Sequence, residues 1–188
     1  MGKLYEGIDG PIREFIEAQR VFFVATAPTG ADGHVNLSPK GCDSLRILDE
    51  HTVAYLDYIG SGVETIAHVR DNGRITVMLC AFDGPPKIVR LHGRGEVFEP
   101  VDHGFAALRS RFPSAPADGV RAILVVHVTR IGDSCGYGVP LYEYTGERTQ
   151  LDAWSKKKGP ADLEKYQRDK NRASIDGLPG LRWVQEKS

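Results

Sequence analysis

Between Val21 and Ile131 the apolar residues recur mainly at the period of a β-strand, in short runs separated by Gly, Pro, Asn and Asp. Val21–Ala27 is β-branched and aromatic, the turn-rich Pro28–Gly33 follows, and His34–Ser38 alternates polar and apolar, which predicts a hairpin with a loop longer than two residues. Pro39 to Ser44 is expected to break the second strand. Leu45–Leu48 and Thr52–Asp57 form the next pair, turning at Asp49-Glu50. Arg74 to Phe82 resumes as an apolar strand, and Ile88–Phe98 is a long one whose Gly93 and Gly95 predict a bulge or sharp coiling. Ala122–Ile131 carries the longest apolar run and reads as a buried strand. Three stretches have helical spacing instead: Pro11–Gln19, with Ile12, Phe15 and Ile16 on one face; the residues after Gly60-Ser61-Gly62, ending at Asn72-Gly73; and Val101–Phe112. Strands in hairpin order, without βαβ alternation, predict a mainly β protein built as a small closed or split antiparallel barrel with flanking helices.

After Ser134 the pattern changes. Cys135–Tyr144 is loop-like and aromatic, and residues 145–188 are rich in Lys, Arg, Asp and Gly with no core of their own. Ala161–Arg172 alone predicts a helix there, lying on the surface or braced on another subunit. The chain is therefore read as a barrel domain, 1–144, and a C-terminal extension, 145–188, that packs on the barrel or on a dimer partner. A length of 188 residues suits one domain with such an appendage.

Composition narrows the partners. A formal net charge of -1 offers no general attraction to nucleic acid or to an anionic membrane. No apolar run approaches the roughly 18 residues of a membrane span, and no secretory apolar region follows the N-terminus, so a soluble cytoplasmic protein is expected. The three cysteines lack C-x-x-C spacing, which argues against a disulfide framework and a zinc site. Cys80 reads as core, whereas Cys42 and Cys135 lie in Gly-rich loops. His68 and His92 are isolated imidazoles, and no metal is expected. Lys156–Lys158 reads as a solvated linker, and Trp154 as a residue that docks the tail.

The stretch with candidate chemistry is Gly60-Ser61-Gly62, set between a strand end and a helix. Ser61 as N-cap and Glu64 at the third helical position would form a reciprocal capping box. The glycines let backbone N–H groups approach a ligand, and a helix N-terminus favours an anion. By itself the corner reads equally well as a turn.

Asn36-Leu-Ser-Pro-Lys-Gly41, the strand ending Tyr55-Leu-Asp57, Gly60-Ser61 and the helix ending Asn72-Gly-Arg74 resemble, in order and spacing, the pyridoxamine 5'-phosphate oxidase-like family of FMN-binding split barrels. The late Arg130–Pro140 run, with Asp133-Ser-Cys-Gly-Tyr-Gly, resembles an uncharacterised, oxidase-related branch of it. The resemblance implies a six-stranded antiparallel Greek-key barrel, a homodimer, and two FMN sites at the subunit interface. It implies cofactor contacts from Ser38, Lys40, Gly41, Asp57, Gly60, Ser61, Gly62 and Glu64, with Cys135 and Tyr137 covering the flavin from the second subunit or serving only as a turn and a packing anchor. The expected function is an FMN-dependent oxidoreductase acting on a small molecule. The alternatives are a non-catalytic flavin or haem carrier or sensor, and a deazaflavin-dependent reductase. Two departures stand out. Where the oxidase has Arg-Lys after Gly-Ser, this chain has Gly62-Val63, so Lys40 needs help from Arg46 or Arg90 in neutralising a phosphate. The oxidase's C-terminal Arg-x-His pattern is also missing, and a substrate other than pyridoxamine phosphate is expected.

Overall fold

The computed structural model describes residues 2–116 and 118–186. Its centre is an eight-stranded antiparallel sheet in the order β3-β2-β6-β7-β8-β5-β4, with the short β1 paired to β8. The strands are β1 (Leu4–Tyr5), β2 (Phe22–Thr26), β3 (Asn36–Lys40), β4 (Leu45–Asp49), β5 (Thr52–Tyr58), β6 (Arg74–Cys80), β7 (Ile88–Phe98) and β8 (Val120–Ser134). The expected antiparallel split barrel is found, with eight strands where six were expected. The two-residue β1 carries too short a pattern to be read from sequence.

Two strand ends differ instructively. Pro39 does not break β3, because β3 is the edge strand and pairs only with β2, with Phe23 opposite Pro39. A proline lacks the N–H that an inner strand must donate, and an edge position tolerates that loss. Gly93 lies at a register shift between β7 and β8, as expected. A Cβ there would stand 2.3 Å from the His127 carbonyl oxygen, so the bulge closes only around glycine.

The apolar run in β8 resolves into two faces. Ala122, Leu124, Val126 and Val128 join the main core with Tyr55, Val77, Leu79 and Leu91. Ile123 and Val125 turn to a second cluster with Leu56, Phe112 and Ala115. β5 and β8 are thus covered on both sides, which explains why they read as nearly continuous apolar sequence. The cover on the second face is α3 (Phe105–Arg109) and the loop after it. The predicted helix from Val101 shrinks to these five residues because Gly104 sits at φ 96, outside the helical region, at its N-cap.

The remaining helices are α1 (Gly10–Ala18), α2 (Glu64–Asn72), α4 (Gln150–Lys170) and α5 (Arg182–Gln185). α1 matches expectation, burying Ile12 and Ile16. α4 is two helices joined at Gly159 (φ 69), where Pro160 restarts the second. The sequence pattern located only that second half. In the first half, Trp154 packs edge-on against Tyr166 at 5.2 Å, and Lys158 lies over both rings. Lys156 pairs with Asp152 at 2.7 Å, so the basic run is engaged within its own helix. Beyond α4 the extension returns to the barrel, and Leu181 and Val184 enter the main core. Among the described residues no helix is long and apolar enough to cross a membrane.

Candidate functional site

The sheet's two free ends, β3 and β4, leave a seam, and a buried charge cluster bridges it. Lys40 at the end of β3 donates to Asp57 Oδ1 on β5 at 3.1 Å. Arg121 donates through Nε to Asp57 Oδ2 at 2.8 Å. Asp57 is fully buried, Arg121 is 5% exposed and the Lys40 side chain 20%. Burial alone would push the Asp57 carboxyl up, but the adjacent Arg121 and then Lys40 hold it below its ordinary value. Two cations and one anion leave one positive charge at the seam.

A bulge aims Arg121. Asp57 is opposite Ala122, and the next pair is Tyr58 with Val120, so Arg121 is the unpaired residue between them. Sequence reasoning had named Arg46 and Arg90 for this role. Arg46 instead grips Asp43 at 2.6 Å and lies over the Phe112 ring, and Arg90 donates to Ser134 Oγ at 3.1 Å. A signal for Arg121 did exist. An arginine at the foot of an apolar strand requires a buried anion, and Asp57 at the end of another apolar strand has the same need.

Above this cluster the chain turns through Gly60-Ser61-Gly62 into α2. The expected capping box does not form: the N-cap position is Val63, Glu64 is the first helical residue, and no side chain caps the helix. The turn after Asp57 uses two more residues than a Ser61 cap would need. Glu64 instead folds back, with Oε2 2.2 Å from where a Gly62 Cβ would stand and Oε1 accepting from the Ile175 N–H at 3.3 Å. Gly62 thus leaves room for the Glu64 carboxylate.

Behind the corner, Asn36 Nδ2 donates to Thr26 Oγ1 at 3.0 Å and Thr65 Oγ1 at 2.9 Å, and Thr26 Oγ1 lies 3.1 Å from His68 Nδ1. This chain of polar contacts ties β2, β3 and α2 together around one open groove of about 720 Å3. Its walls include Asn36, Ser61, Gly62, Glu64, Lys170 and Ser174, the last two from the C-terminal extension. Ser38 Oγ is buried without a hydrogen-bond partner. The fully buried Tyr55 phenol is pushed well up, by burial first and then by Asp57, and stays neutral.

The predicted residues do not all share one place. Lys40 and Asp57 are bonded to each other, and Arg121 links that pair to the corner by donating to the Gly60 carbonyl at 3.3 Å. Ser61, Gly62 and Glu64 share the groove, while Gly41 lines a separate cavity beside Arg20 and Arg46. Neither Cys135 nor Tyr137 of the same chain lines the groove. Asp57 pairs with Ala122, and Cys135 follows thirteen residues later, about 40 Å along the path of β8 at roughly 3.3 Å per residue. Cys135 is exposed and Tyr137 is 82% exposed. All three cysteines are free, Cys80 is buried as expected, and no cluster of metal-ligating side chains occurs among the described residues.

An antiparallel split barrel with a charged seam under a glycine corner defines the class of this molecule. The model of the pyridoxamine 5'-phosphate oxidase family matches residues 8–135, and the chain belongs to that family. It is 38% identical over 192 residues to the pyridoxamine 5'-phosphate oxidase family protein ustO of Aspergillus flavus, covering 94% of this chain and 77% of that protein. A variant of HupZ from Group A Streptococcus has a TM-score of 0.54 at 25% identity, over 68% of this chain and 99% of that one. A second HupZ structure has a TM-score of 0.50 at 27% identity, over 63% and 86%.

Proposed function

We propose that this chain is an FMN-binding flavoprotein, an oxidoreductase for a small-molecule substrate that works as a homodimer with cofactor sites at the subunit interface. The observation that carries the reading is the surplus positive charge of Lys40 and Arg121 over Asp57, beneath Gly60-Ser61-Gly62. A phosphate carrying nearly two negative charges suits a site with that charge and with open backbone beside it. A Cβ at Gly60 would meet nothing within 4 Å, and the buried Ser38 hydroxyl has no protein partner to satisfy it.

When bound, the flavin supplies the electron transfer, so the protein needs no catalytic triad. The role of Lys40, Arg121, Ser61 and Ser38 is to bind and orient the cofactor. Several exposed features support the dimer. β3 is the sheet's edge strand, with Leu37 on it 64% exposed and Val35 just before it 74% exposed, and the segment after β8 carries exposed Tyr137, Leu141 and Tyr142. Cys135 and Tyr137 would then reach the partner's site. The domain reading places the cofactor on residues 1–144, with 145–188 as a supporting extension, and the working compartment as the cytoplasm.

The purified protein, loaded with FMN, should show a flavin spectrum that a reduced nicotinamide bleaches and an electron acceptor restores. Lys40→Ala combined with Ser61→Ala should weaken FMN binding by several kcal/mol, at about 1.5 to 3 kcal/mol per charge-assisted hydrogen bond. A Soret band, or an apo-protein that takes up no FMN, refutes the reading. Bound flavin that never turns over assigns a carrier role instead.

A further inference from the structure

The Gly60 carbonyl is held from two sides. Arg121 Nη1 donates to it at 3.3 Å from β8, and Asn171 Nδ2 donates at 2.9 Å from the C-terminal extension. Asn171 is fully buried, and its Oδ1 has no hydrogen-bond partner. Its backbone is fixed as well: its N–H donates to Gln167 O at 2.8 Å, and its carbonyl accepts from the Leu181 N–H at 3.0 Å. Asn171 therefore closes α4 and fastens the extension to the corner through one carboxamide.

The chain has no cis peptide among the described residues. In a planar trans peptide the C=O and the following N–H point in opposite directions. Drawing the Gly60 oxygen toward two buried donors turns the Ser61 N–H away from Arg121 and Asn171, and Ser61 and Gly62 both line the groove. We infer that Asn171 is a positioning residue for the proposed cofactor: it locks the Gly60–Ser61 peptide so that the Ser61 N–H donates to the cofactor's phosphate. The inference rests on the FMN reading and deepens it, because Asn171 lies beyond the residues 8–135 that match the family model. Lys170 and Ser174, its neighbours in the extension, face the same groove.

Riboflavin, which lacks the phosphate, separates positioning from general support. Affinities of FMN and riboflavin, measured by fluorescence quenching, should favour FMN in the wild-type chain. Asn171→Ala and the near-isosteric Asn171→Leu should lower FMN affinity about tenfold and leave riboflavin affinity unchanged, since the lost interaction is one charge-assisted hydrogen bond. Equal losses for both flavins, or none for either, overturn the positioning role while leaving FMN binding intact. A wild-type chain that does not prefer FMN to riboflavin overturns the phosphate seat and this inference together. In the wild-type protein the Ser61 amide resonance should also shift on adding FMN, and a silent Ser61 amide refutes the inference without any variant.

Discussion

Replacing Asp57 with alanine tests the charged seam directly. The substitution leaves Arg121, 5% exposed, beside Lys40, 20% exposed, with their shared anion gone. Lys40 can swing its ammonium to solvent along its flexible stem, but Arg121 sits in a bulge between β5 and β8 and cannot. The cost is therefore that of one uncompensated buried charge, about 3 to 5 kcal/mol. For a chain of this size that corresponds to a fall in Tm of about 6 to 20 °C. Urea denaturation followed by circular dichroism gives the free energy. The Asp57 carboxyl is held below its ordinary value, so its stabilisation is complete above the unfolded pKa of about 3.9 and is lost as pH falls through the lower folded value. The gap between wild type and variant should therefore stay flat from about pH 5 to pH 8 and close only in strong acid. Asp57→Leu combined with Arg121→Leu removes both ends of the buried pair and should cost less than the sum of the two single changes. A loss under about 1 kcal/mol for Asp57→Ala, or strict additivity in the double variant, would show that the seam is solvated and that its charges are not coupled.

Two further outcomes follow from the corner and the extension. Glu64→Gln keeps the shape and the contact with the Ile175 N–H but removes the one negative charge lining the groove near Gly62, so FMN should bind several-fold more tightly; weaker binding would place the phosphate elsewhere. Glu99 is fully buried and accepts from Arg70, from the Arg182 N–H at 2.8 Å and from the Trp183 N–H at 3.2 Å. Glu99→Ala should cost about 3 kcal/mol and open the segment 171–186 to limited proteolysis; an unchanged digestion pattern would mean that Leu181 and Val184 alone hold the segment.

The barrel was legible because its strands announce themselves locally. β2, β5, β6 and β7 are β-branched runs bounded by turn residues, and even the bulge at Gly93 is marked by its glycine. What failed were readings that depend on a neighbour's identity. Pro39 breaks a strand only if that strand is internal, and nothing in Asn36–Lys40 says that β3 is an edge. Val101–Phe112 has helical spacing, but Gly104 cancels its first turn and the buried Phe112 is held by a loop. Ser61 and Glu64 have the spacing of a capping box, yet the helix begins two residues later, with Val63 at its N-cap. Arg121 was missed for the same reason, since its role depends on a register shift that pairs Tyr58 with Val120.

The corner and the extension are best understood as one construction. Asp57 draws in Lys40 and Arg121, Arg121 and Asn171 draw in the Gly60 oxygen, and Asn171 is set by the turn that sends Leu181 into the core. The links join strands that are far apart in sequence to one another and to the C-terminal extension. Residues 145–188 lack a core of their own because they borrow the barrel's, and in return they supply a donor to the carbonyl that orients the corner. In this chain the Gly60 carbonyl is held from both sides, and the proposed anion seat would draw on the backbone so fixed as well as on Lys40 and Arg121.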